Sequence, residues 1–337
     1  MFQIPKTGAR TNAGARALLL ASVATVALAA PLHAKPIYVT FDVQGASSTT
    51  PTAINSSNVV TGSASGFDGF VRAADGTITT FDVPNANGTH PVSINDDGTI
   101  AGWYFDSNYT QHGFVRSPDG TITSIDPHGS SGTIAVSLNA RGFITGTYTC
   151  AGAACGYILS PRGKYTSFEV SNSNYTSPSA INASREIAGY YIDYNNDRHG
   201  FLRGSDGTIT NFDVSGAPNT LPASLNAKNT TTGTYDDDDG NSHGFLRTSD
   251  GTITEFDAPK ATFGTFPSAI NAKGAIAGSY DTQDEVFGFL RTPRGRFRIV
   301  FVKGSTGTAA NAINDARVVT GYYLDSNFNT HGFLRMP

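Results

Sequence analysis

This sequence predicts an all-β chain, on three observations: sparse charge, surplus glycine, and short runs of Val, Ile, Tyr and Phe between turn residues. Charged residues make up 15% of the 337 positions and 37 residues are glycine, against about 25% and about 7% in ordinary soluble proteins. So low a charge density excludes a coiled coil and a polybasic nucleic-acid binder. The hydrophobic share of 39% and aromatic share of 11% exclude a disordered chain. The length suits one large domain or two small ones.

The N-terminus reads as a secretory signal peptide. Lys6, Arg10 and Arg16 precede the apolar run Ala17 to Ala30, which ends in small-residue cleavage candidates near Ala30 and Ala34. The run is shorter than the roughly 20 residues of a membrane span. We therefore expect a leader over 1–34, a mature domain over 35–337, a secreted or periplasmic location and no membrane span. Removing the three leader cations takes the formal net charge from −4 to −7, which disfavours nucleic acid as a partner.

Self-similarity then sets the architecture. Gly69, Gly113, Gly156, Gly200, Gly244, Gly288 and Gly332 each precede an aromatic residue and recur at spacings of 43 or 44. Asn55, Asn95, Asn139, Asn182, Asn226, Asn271 and Asn314 form a second series, and seven residues after each stands a Gly. Both series count seven units. In the fourth, strand-like runs lie at Ser179 to Asn182, Ile187 to Ile192, His199 to Arg203 and Thr208 to Val214. Calling these strands a, b, c and d, four per 44 residues make a propeller blade. The last unit ends at Arg335 without a d strand, and an orphan d-like segment, Pro36 to Val43, precedes the first. The expected fold is a seven-bladed β-propeller of four-stranded blades, its ring closed by that N-terminal strand, which removes the free edges.

The patterns "HGFLR", "DGTIT" and "INxxGxIxGxY" resemble the bacterial extracellular repeats of the HAF family over residues 36 to 337. The resemblance implies a secreted, propeller-like repeat protein and carries no single activity with it. Asp68, Cys155 and Phe287 replace the motif His in three units.

Loop lengths choose a working face. The a–b and c–d turns are tight, as in Asn95-Asp96-Asp97-Gly98, whereas the b–c and d–a loops are longer and vary. The b–c loops carry Asp106, Asn108 and Tyr109; Asp193, Tyr194, Asn195 and Asp197; Asp236 to Asp239; Asp281 to Glu285; and Asp325, Asn327 and Phe328. One use of these residues is saccharide binding, with Tyr109, Tyr194 and Phe328, and Phe263 and Phe266 from a d–a loop, stacking on sugar faces while Asp106, Asn108, Asp325 and Asn327 take hydroxyls. Another is a Ca²⁺ site on Asp193, Asn195 and Asp197 or on Asp236 and Asp238, because Ca²⁺ takes six to eight oxygens. The plain alternative is local turn hydrogen bonding.

A three-residue c–d turn places His112 opposite Asp126, His199 opposite Asp213, His243 opposite Asp257 and His331 opposite Asp42, while Phe287 faces Phe301. This covariation between units reads as cross-strand packing. Cys150 and Cys155, the only cysteines, predict a disulfide. The seven Asn are expected to bridge backbone groups in their turns, with a place along a central channel as the alternative. No phosphate-binding Gly loop, zinc-hydrolase helix or Ser nucleophile elbow is present, and no residue is assigned a catalytic role. The expected function is that of a monomeric, non-catalytic binding module for a saccharide or other cell-surface molecule, with no cofactor other than the candidate Ca²⁺. The alternative is a polysaccharide lyase or glycosidase acting on the b–c and d–a loop face.

Overall fold

The computed structural model describes residues 35–65 and 68–337; the expected leader, 1–34, lies outside the described residues. These form 28 strands and no helix. Each repeat becomes four antiparallel strands, as in unit 2: Thr89–Ile94, Ile100–Phe105, Gln111–Arg116 and Ile122–Ile125. Units 1 to 6 occupy residues 49–81, 89–125, 133–168, 173–212, 219–256 and 264–300. In the seventh, Gly307–Ile313, Val319–Leu324 and Thr330–Met336 are joined by Ile37–Phe41. That N-terminal strand pairs antiparallel with the c strand and sets Phe41 opposite Gly332, the register in which Phe81 faces Gly69 and Phe212 faces Gly200.

The d strands are only four residues long in units 1 to 6, shorter than the runs the sequence suggests: Ile209–Phe212 rather than Thr208 to Val214. The a strand of unit 4 is longer than expected and begins at Ser173. Its inward course is already hydrogen-bonded to strand b at that point, so turn-like residues there did not end it.

Two repeated features hold neighbouring units together. The aromatic of each Gly-aromatic pair is buried: Phe70, Phe114, Tyr157, Phe201, Phe245, Phe289 and Phe333 are all at 0–1% exposure, each worth about 1.5–3 kcal/mol of burial. In four cases this ring meets the d-strand Phe of the preceding unit edge to face at 6.0–6.2 Å, Phe41 on Phe70 included. Beside these contacts, the c-strand residues Arg72, Arg116, Arg203, Arg247 and Arg291 lay their guanidinium groups over Phe41, Phe81, Phe168, Phe212 and Phe256 at 4.5–4.9 Å. The b-strand glycines serve a different need. Each a strand carries a bulge and passes so close that a Cβ on Gly146 would run into the Ile134 carbonyl.

A buried Thr lies within the first four residues of each a strand. Thr49, Thr89, Thr176, Thr220, Thr265 and Thr308 accept a hydrogen bond from the backbone N–H of Val43, Val83, Val170, Val214, Ala258 and Val302, six or seven residues earlier. Pro127 takes the donor's place in unit 3 and has no N–H; there Thr133 bonds to Ser130 instead. Each a strand lies against the a strands of two other units, that of unit 1 against those of units 2 and 7.

Candidate functional site

One turn recurs in four b–c loops, opened by Asp106, Asp193, Asp237 and Asp325. The residue three positions on donates its N–H to the Asp carbonyl. The Asp Oδ1 accepts the N–H groups of the residues two and four positions on, Asn108 and Thr110 at 2.8 Å in the first case. This is why three Asp-x-Asn sequences and Asp237-Asp238-Asp239 fold locally here: the carboxylate replaces backbone acceptors that the turn lacks. Donation from the Asn241 backbone and side chain, aided by His243, holds Asp237 down at about 2. The Asn329 side chain and backbone hold Asp325 at about 2 as well, and the Thr110 N–H lowers Asp106.

The second carboxylate oxygen faces the motif His. Nε2 of His112, His199, His243 and His331 lies 3.6, 3.8, 3.2 and 3.4 Å from Asp106, Asp193, Asp237 and Asp325. Nδ1 pairs with Asp126, Asp213, Asp257 and Asp42 at 2.9–3.0 Å, the partners expected from the hairpin register. Tyr104, Tyr191, Tyr235 and Tyr323 stack on the four imidazoles at 5.0–5.2 Å. Burial opposes protonation of His243 and His331, but the flanking carboxylates raise both. In unit 6, where Phe287 replaces the His, Phe287 and Phe301 meet at 4.9 Å. Sequence reasoning found the pairs and missed the loop Asp as third member; its constant distance of six residues before the His was the available signal.

Of the residues considered for Ca²⁺, Asp193, Asn195 and Asp236 have side chains engaged within the protein. Asp193 Oδ1 takes the N–H groups of Asn195 and Asp197, and its Oδ2 takes the Asn195 amide. Asp236 accepts from the Ser242 hydroxyl and the Asn219 amide, while its neighbour Asp237, not Asp236 or Asp238, opens the turn. Among the described residues no group of three or more His, Cys, Asp or Glu side chains is placed to hold a metal ion. Cys150 and Cys155 form a disulfide across the b–c hairpin of unit 3, with Cα atoms 5.8 Å apart.

The predicted sugar-stacking rings stand out from the surface. Tyr109, Tyr194 and Phe328 are 72–73% exposed and Phe263 58%. They belong to loops of units 2, 4 and 7 and to the connection between units 5 and 6, so they stand apart on separate loops. Phe266 is half-buried in the a strand Gly264–Ile270 rather than in the loop before it, because strand pairing with Ser279 begins earlier than the loop composition suggested. Tyr109 and Phe328 adopt φ of 61° and 62°, a left-handed backbone that disfavours bulky side chains; the equivalent positions hold Asn196 and Gly240.

Unit 2 has what no repeat marker signalled. His90 and Trp103 stack at 3.9 Å, Trp103 meets Phe105 edge-on at 5.2 Å, and Phe105 contacts Tyr109 at 6.3 Å. Burial lowers the His90 pKa. A ladder of rings thus runs from the innermost strand to an exposed loop tip. The lone Trp, at a b-strand position that is Ser, Thr or Tyr in every other unit, was its signal in the sequence.

The opposite face carries the Asn series. Each Asn whose carbonyl opens an a–b turn accepts turn N–H groups on its Oδ1, as Asn139 does from Arg141 and Phe143. The Nδ2 groups of Asn55, Asn139, Asn182, Asn226, Asn271 and Asn314 donate to the backbone carbonyls of Asn95, Asn182, Asn226, Asn271, Asn314 and Asn55. Five of the series, Asn55, Asn95, Asn226, Asn271 and Asn314, also line a cavity of about 340 Å³ with Asp96 and Asp315. The turn role is shown, and bordering this shared cavity does not exclude it.

No protein-family model matches the chain, and no curated protein matches it by sequence. No helix among the described residues is long and apolar enough to cross a membrane. Solved structures do match. A streptogramin B lyase is 16% identical with a TM-score of 0.61, covering 90% of this chain and 98% of that one. A virginiamycin B lyase from Staphylococcus aureus is 17% identical at a TM-score of 0.61, over 90% and 100% of the two chains. The β-propeller domain of the Trilobed protease from Pyrococcus furiosus is 8% identical at 0.56, over 88% and 95%. At such identities likeness speaks for architecture alone, and with the all-β strand pairing described above it makes the domain a β-propeller.

Proposed function

We propose that residues 35–337 form one ring of seven blades, with Ile37–Phe41 completing the last, and that this ring is a non-catalytic binding module of an exported protein whose b–c and d–a loop face takes a saccharide. The ring ladder of unit 2 carries the reading. His90, Trp103 and Phe105 brace Tyr109, and the backbone tolerates a left-handed Tyr there; strain of that kind collects where a side chain is needed in one place. A rigid, exposed ring offers a sugar's C–H face a contact at low cost in conformational entropy. The repeated carboxylates favour binding over hydrolysis or elimination, since each is tied to its own His and turn in a different unit rather than converging with a second acid or base. Export is supported by the leader-like N-terminus and by the Cys150–Cys155 disulfide, and the HAF-like motifs agree with it.

A glycan array followed by product analysis tests this. The expected result is binding without turnover, weakened at least about tenfold, or 1.4 kcal/mol, by Tyr109→Gly and by Trp103→Ala. Gly suits the left-handed position, so the first variant keeps its fold. Release of any product, or full binding by both variants, overturns the reading.

A further inference from the structure

Charge is distributed unevenly over the a–b and c–d face. In units 1, 2, 4 and 5 the c–d turn holds Asp75, Asp119, Asp206 or Asp250, whose Oδ1 accepts the N–H of Thr77, Thr121, Thr208 or Thr252. These acids act favourably on the c-strand Arg of their own unit. Units 3 and 6 break the rule with Arg162-Gly163-Lys164 and Arg294-Gly295-Arg296. There the turn is capped without a carboxylate, by Ser160 Oγ accepting from the Lys164 N–H and Thr292 Oγ1 from that of Arg296.

The a–b turn of the next unit changes in step. Its left-handed position holds Asn58, Asn229, Gly98, Gly142 or Gly274 elsewhere, but Arg185 (φ 66°) after unit 3 and Arg317 (φ 63°) after unit 6. Unit 6 keeps its c-strand Arg291 while unit 3 has Leu159 there, and in both cases loss of the turn acid is accompanied by gain of cations in the c–d turn and in the next a–b turn. Lys164, Arg185 and Arg203 recur as Arg296, Arg317 and Arg335, each pair 132 positions apart.

Between units 3 and 4 the three cations line a cavity of about 220 Å³ together with Ser160, Thr166, Ser205, Ile158 and Phe143. Arg185 lies over Phe143 at 5.6 Å. Arg203 is held over Phe168 and donates from Nη1 to the Gly204 carbonyl. Its Nε is unpaired like that of the other c-strand Arg residues, and Asp206 and Arg185 act on its charge in opposite senses. Among the described residues every ion pair within 4.0 Å involves a His, so no carboxylate lies that close to these three groups. Like charge in a confined space is unfavourable, and a long side chain at a left-handed backbone adds to the cost. An anion offsets both, and guanidinium forks match the oxygens of phosphate and sulfate.

We propose that this cavity is an oxyanion site for a phosphate or sulfate group, free or as an ester, and that Arg296, Arg317 and Arg335 form a second such site between units 6 and 7. Neither site depends on the saccharide reading, which concerns the other face. The test is titration calorimetry of the mature domain with inorganic phosphate and with sodium sulfate, against chloride at matched ionic strength. Saturable binding with a stoichiometry near two is expected, falling to one in Arg185→Gly and in Lys164→Thr, which restore residues found in the sibling turns and so preserve folding. Binding of a phosphorylated or sulfated oligosaccharide more than tenfold tighter than the free ion identifies the ester as ligand; equal or weaker binding identifies the free ion. Absence of saturable binding, or a stoichiometry unchanged in both variants, overturns the proposal.

Discussion

Units 5 and 7 build the same slot from chain segments of very different separation. His243 and Asp257 are 14 residues apart and His331 and Asp42 are 289 apart, yet the Nδ1-to-carboxylate distances are 3.0 and 2.9 Å. The stacked Tyr lies at 5.1 and 5.0 Å. Unit 6 keeps the backbone register, Gly288 opposite Val300 as Gly244 is opposite Phe256, and fills the slot with Phe287 and Phe301. The slot is therefore a product of the strand ladder and the buried Phe beneath it, while the polar or apolar pair is a matched filling.

The largest expected effect comes from removing the distant half of the unit 7 slot. Deleting residues 36–43 takes away the buried Phe41 and Val43 and a five-pair ladder, and should cost about 4 kcal/mol or more. A denaturant melt reads it, and an unchanged midpoint would sink the equivalence of units 5 and 7. A smaller effect sharpens the contrast with unit 6. Phe287→His and Phe301→Asp should each destabilise by about 1–3 kcal/mol, and the double variant should recover about 1 kcal/mol of the sum. Strict additivity would show that the slot does not select its pair.

The smallest effect is in the pH dependence. His243 and His331 have raised folded-state pKa values, so their contribution is full below the ordinary imidazole value of about 6.5 and is lost as pH rises through the folded values. Asp237 and Asp325, depressed to about 2, contribute above the usual carboxylate range and lose that contribution as pH falls through about 2. Melting temperature across about pH 2 to 9 should decline gently on the alkaline side. In a His243→Phe, Asp257→Phe variant that alkaline slope should be shallower, and an unaltered slope would refute the assignment to these pairs.

Much of this arrangement is legible in the residues alone. Period, turn chemistry and the Gly-aromatic series mark the strands because they reflect local geometry repeated seven times. The His–Asp partners are legible too, since a tight c–d turn fixes which residues face each other, and the disulfide follows from two nearby Cys. The ring ladder of unit 2 was hidden because His90 and Trp103 lie on different strands and belong to no repeat marker. The basic cavity was hidden because Lys164, Arg185 and Arg203 are contributed by two units, and only packing of one against the next makes them neighbours.

By itself, then, the sequence determined what recurs: strand order, register, the slot pairs and the pairing of Ile37–Phe41 with Thr330–Met336. Short-range sterics and hydrogen bonding act identically in each copy, so repetition exposes them. Tertiary structure decided which further contacts these repeated elements make. It bound the loop Asp to the His on its second nitrogen and drew Phe266 out of its expected loop into a strand. It also turned the Asn series into donors to the next unit's backbone, and brought the cations of units 3 and 4 around one cavity. The first two arise within single units, whereas the last two depend on the distance between units, which is set by the packing of buried Phe rings and close-lying glycines rather than by any spacing along the chain.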